Sequence, residues 1–134
     1  MSFPRPEKLL VLTLASSAGT HAALVPSHAA EAPSLGAMFA LSALFLAAIA
    51  LRVDRTPGAV ALAVAALVLA ALLAAYVATR FVALAPLTHP EPVDLLGVTT
   101  KLIEAGGLVL ALRLLGTRAG SAAAPPALPE GAGR

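Results

Sequence analysis

The chain has no cysteine, so thiol catalysis, CxxC redox work, thiolate metal sites and a disulfide framework are all excluded. Charge is nearly as scarce: 12% of the 134 residues are Asp, Glu, Lys or Arg, about half of the quarter that keeps the surface of an ordinary soluble domain wet. Aromatic residues make up 4%, which leaves no stacking platform for nucleobases, and the +2 formal charge is too thin for a nucleic-acid patch. P-loop, dinucleotide and EF-hand signatures are missing, and the serines lack a Gly-x-Ser-x-Gly elbow. Nothing in these absences names an enzyme.

What the sequence has instead is apolar length. With 59% hydrophobic residues and a mean hydropathy of +0.90, its expected solvent is lipid. About 20 apolar residues cross the hydrocarbon layer as a helix, and four runs meet that need. They lie at about Leu9–Val25, Ser34–Leu51, Gly58–Leu84 and Val93–Leu115, the last carrying Asp94, Lys101, Glu104 and Arg113. Prolines 26, 33, 57, 86, 90 and 92 fall between the runs, where a missing N–H stops a helix without damaging its interior. The expected fold is all-α, an integral membrane antiparallel four-helix bundle covering 9–115. Residues 1–8 form a cytoplasmic N-terminus, and 116–134, rich in Ala, Gly and Pro, a flexible cytoplasmic tail.

Orientation follows from the flanking cations. Arg5, Lys8, Arg52, Arg55, Arg113, Arg118 and Arg134 all fall on the side of the termini, whereas the first-to-second link has none. The positive-inside bias then sets both termini in the cytoplasm of a cell inner (plasma) membrane. A second interpretation of the N-terminus is a signal peptide, with Arg5 and Lys8 as its basic region and cleavage near Ala22, which would leave three spans in the same orientation.

The outer side collects the remaining ionisable groups: His21, His28 and Glu31 around the end of the first span, and His89, Glu91 and Asp94 before the fourth. On a continuous helix the seven-residue step from His21 to His28 is nearly two turns, so both imidazoles share a face within reach of Glu31. Pro26 argues against that continuity. Imidazoles with carboxylates are a ligand set for zinc, copper or iron, although loop decoration or a haem axial pair uses the same residues. Glu104 lies near the expected bilayer midplane, where a carboxylate needs a partner. Lys101, three residues earlier on the same face, supplies one as a structural ion pair; otherwise Glu104 is a proton- or metal-linked carboxylate. Asp94 suits the start of the fourth helix, and Arg80 should snorkel or pair with Asp94 or Glu91.

Taken together, H-x6-H-x2-E-x-P-x2-G-x2-F from His21 to Phe39, then Arg80, Pro86, Glu91, Pro92, Asp94 and the late Glu104, resembles a group of small four-helix bacterial integral membrane proteins. The resemblance covers about Leu9–Leu115 and implies the fold but no reaction. It treats His21, His28, Glu31 and Glu104 as one set. The first functional expectation is therefore a transition metal ion held by those four residues. Two other classes compete with it: a non-catalytic accessory subunit packing against a larger membrane complex or a second copy, and a small proton-coupled transporter using Glu104.

Overall fold

The computed structural model describes residues 5–83, 87 and 90–123, with side chains as far as residue 120. Within them the chain forms four helices: α1 (Pro6–Glu31), α2 (Pro33–Arg55), α3 (Ala59–Phe81) and α4 (Leu95–Ala123). All four are long and apolar enough to cross a membrane, and the protein is a multi-pass membrane bundle. Expected and observed elements match one to one, with bounds that differ by a few residues except at two helix ends.

One difference is at Pro26, which was expected to stop the first span. Helix α1 runs through it to Glu31 and ends only at the extended Ala32. A proline removes one main-chain donor, and inside a bundle that loss is tolerated where the neighbours hold the segment. Here α2 starts at Pro33 and folds straight back, so the last turn of α1 is clamped from the moment it forms. Gly36 makes the clamp close. A Cβ built there would fall on Ala29, so only glycine lets the two backbones approach at this level. The other difference is α4, which continues past Leu115 through Gly116 to Ala123. Residues 124–134 and His89 lie outside the described residues.

Each helix packs on two neighbours, α1 on α2 and α4, α3 on α4 and, least extensively, α2. The end carrying the termini is tied by an ion pair from Lys8 of α1 to Asp54 of α2, 2.5 Å. The half of the bundle nearest that end is filled by Leu10, Leu14, Leu46, Val53, Leu62 and Ala111, none more than 1% exposed. Large apolar residues such as Leu44, Phe45, Leu67 and Leu102 point outward instead, with 61–70% of their surface free. In water that would be an aggregation liability; in lipid it is the ordinary outer face of a bundle.

Small residues set the α1–α4 distance. A Cβ on Gly107 would meet the side chain of Thr13 at 2.5 Å and Leu69 at 3.2 Å, whereas its neighbour Gly106 faces open space. This close approach brings Ser17 of α1 opposite Glu104 of α4 and positions the polar part of the molecule.

Candidate functional site

Glu104 is fully buried, with none of its surface exposed. Its two oxygens are both used. Ser17 Oγ donates to one at 2.6 Å and Lys101 Nζ to the other at 2.6 Å, so α1 and α4 are pinned together by a charge-assisted pair in the dry part of the bundle. The i, i+3 spacing expected to pair Lys101 with Glu104 does so. Ser17 was not recognised as part of the site, and no local motif marks it; the partnership depends on a packing contact across 87 residues.

His21 lies one turn beyond Ser17 on α1 and is buried. Its Nδ1 lies 2.9 Å from the Ser17 carbonyl and 3.5 Å from Ser17 Oγ, the shorter contact being to the main chain. His28, two turns further, repeats the geometry, with Nδ1 3.0 Å from the Leu24 carbonyl. A carbonyl can only accept, so each neutral ring carries its hydrogen on Nδ1 and keeps a lone pair on Nε2. Because α1 does not break at Pro26, the two rings share a face as the seven-residue step requires. Both meet Phe39 of α2: His28 stacks on it at 3.9 Å between centroids and His21 tilts against it at 5.5 Å.

On α3, Tyr76 and Arg80 form the opposite wall. The guanidinium carbon lies 4.0 Å from the Tyr76 ring centroid, and Lys101 Nζ approaches the same ring at 5.7 Å. Gly97 of α4 makes room for that ring, since a Cβ there would lie 3.0 Å from Tyr76 Cε2. Asp94 caps α4 by accepting from the Gly97 amide at 2.7 Å, as its position suggested, and its other oxygen stands 4.0 Å from Arg80 Nη2. Glu91 is tied to α3 through its main-chain N–H, which donates to the Thr79 carbonyl at 2.9 Å.

These groups surround a half-open cavity of about 360 Å³ at the end of the bundle opposite the termini. All four helices contribute to its wall: Thr20, His21, His28 and Glu31 from α1, Leu35 and Phe39 from α2, Leu72, Tyr76 and Arg80 from α3, and Gly97, Thr100 and Lys101 from α4. Glu104 lies behind Lys101 and does not line the cavity. Of the four residues expected to act as one set, His21, His28 and Glu31 stand around this space and Glu104 outside it, and they do not converge on a point. Glu31 is exposed at the rim, His28 is stacked on Phe39, and Glu104 has given both oxygens to other partners. Among the described residues, no three His, Asp or Glu side chains gather as a metal ion would require.

No family model matches the chain, and neither a curated protein nor a solved structure matches it at a significant level. The site's chemistry must carry the functional conclusion.

Proposed function

We propose that this is a membrane binding protein that takes one small amphiphilic molecule into the cavity at the end of its bundle. The observation that carries this reading is the composition of that cavity's wall: polar groups from three helices converge on it beside apolar side chains from all four, whereas the hollow of similar volume near the termini is lined mainly by Arg5, Glu7, Lys8 and Asp54. A void of this size lies within the range of about 300–1,000 Å³ typical of small-molecule sites, and the mix of apolar wall with a few convergent polar groups is their usual composition. With the termini in the cytoplasm, as the flanking cations direct, the cavity opens to the outer leaflet. Lys101, held by Glu104, brings a cation to the cavity wall.

Native mass spectrometry of protein extracted from its membrane tests the reading. The wild-type chain should retain one small molecule per chain, and Ala75→Trp, which fills the cavity with an indole, should not. A wild-type mass equal to that of the bare polypeptide, with nothing retained, would refute it.

A transition metal ion in the same space is the second reading, and one observation favours it. His21 and His28 both hold Nδ1 against a main-chain carbonyl, the arrangement that fixes the tautomer and leaves Nε2 for a metal. Elemental analysis decides between them: about one zinc, copper or iron per chain, lost in His21→Ala and His28→Ala, supports the metal, and nil or unchanged content removes it.

A further inference from the structure

Among the described residues, Arg80 is a largely buried charge with weak partners. Its side chain is only 13% exposed, yet the five N–H donors of its guanidinium find little to bind. Nη1 reaches Thr79 Oγ1 at 3.4 Å, at the limit of a hydrogen bond, and Nη2 stands 4.0 Å from Asp94, at the limit of an ion pair. Nε is shut away from solvent without a partner among the described residues, as is the hydroxyl of Tyr76, whose ring lies under the guanidinium. Lys101 Nζ, 15% exposed, spends one donor on Glu104 and lies on the same side of the cavity. Buried polar groups in proteins are almost always paired, and a guanidinium with its fork unfilled is the arrangement that receives a carboxylate or phosphate in two parallel bonds.

Resting on the binding reading above, we propose that the cavity's occupant is an amphiphile with an oxyanion head, a carboxylate or phosphate, received by Arg80 with help from Tyr76 and Lys101. The opposing charges do not reverse this. Glu31 is exposed at the rim and Glu91 is half-buried, so water screens them, whereas Arg80 acts at short range in a site largely closed to water. Asp94 competes most directly, but one of its oxygens is committed to capping α4. Access for the tail is also provided. Helices α2 and α3 touch least of the four neighbouring pairs and are joined at the far end through Thr56–Gly58, so the wall between Phe39 and Leu72 is the bundle's loosest seam toward lipid.

The chain has one tyrosine and no tryptophan, so its intrinsic emission reports on Tyr76 alone. The test is a titration of that emission in phosphatidylcholine vesicles with laurate, dodecyl phosphate, dodecyltrimethylammonium and inorganic phosphate. The two anionic amphiphiles should saturate, at least about tenfold tighter than the cationic one of equal tail length. Arg80→Gln should lose about tenfold or more of that affinity, and Arg80→Lys should lose less, keeping the charge without the fork. Asp94→Asn, which retains the cap, should tighten the anions, a gain that no folding defect imitates. Saturation by inorganic phosphate as tightly as by dodecyl phosphate would keep the oxyanion site and assign it to a soluble anion instead. Binding of dodecyltrimethylammonium as tight as that of laurate, or Arg80→Gln without effect, would overturn the oxyanion assignment while leaving a ligand cavity in place. Silence toward all four would reject the binding reading itself.

Discussion

Glu104 shows how lipid changes the value of a single residue. A carboxylate with none of its surface exposed is sustained here by two short hydrogen bonds, and both partners come from residues with no other polar duty of comparable strength. Removing one member of such a pair costs more than never having built it, because the survivor is left charged in a dry site. Lys101→Met should therefore lower stability by about 3 kcal/mol or more, and Lys101→Met with Glu104→Leu should recover most of the loss. Thermal unfolding of the detergent-solubilised variants, followed by helical circular dichroism, measures both. Equal stability of wild type and Lys101→Met would show that this ion pair within α4 does not sustain the buried carboxylate. The pairing itself was legible, since an i, i+3 Lys–Glu on one helix face needs no tertiary knowledge. Ser17 was not, because a serine one helix away becomes a partner only once the helices are packed.

Elements were legible for the same reason that they form: each is a long, predominantly apolar run, even the fourth with its Lys101, Glu104 and Arg113, and hydrocarbon leaves a backbone few alternatives to the helix. Their ends were less so. Pro26 reads as a stop by its missing donor, but the reversal at Ala32–Pro33 and the contact allowed by Gly36 hold α1 helical beyond it. Which glycines matter is likewise a packing question. Gly106 and Gly107 are identical in sequence terms, yet one faces open space and the other lies against Thr13 and Leu69. Gly107→Val should cost about 1–3 kcal/mol by overpacking, while Gly106→Ala should stay within about 0.5 kcal/mol of wild type. Unfolding midpoints of the two variants under identical detergent conditions give the comparison. A cost at Gly106 matching that at Gly107 would mean α1 and α4 do not meet as described.

For the whole molecule, the decisive property is asymmetry along the bundle axis: the end with the termini packs leucine, valine and alanine beside a hollow lined mainly by charged residues, and the other end holds a cavity walled by polar and apolar groups together. The sequence showed the ionisable residues collecting at one end, because topology alone sorts His21, His28, Glu31, Glu91 and Asp94 there. It did not show that they would surround a space rather than a point; that depends on Phe39 packing against both histidine rings, and on Gly97 admitting Tyr76. The absence of cysteine makes this testable with one thiol at a time. The most direct measurement is the reaction rate of a membrane-impermeant methanethiosulfonate, applied outside intact cells, with Thr20→Cys on the cavity wall and Ala65→Cys in the packed half. The cavity thiol should react from outside and the core thiol should stay silent. Thr20→Cys as inert as Ala65→Cys, or reactive only after the membrane is opened, would contradict an outward-opening cavity.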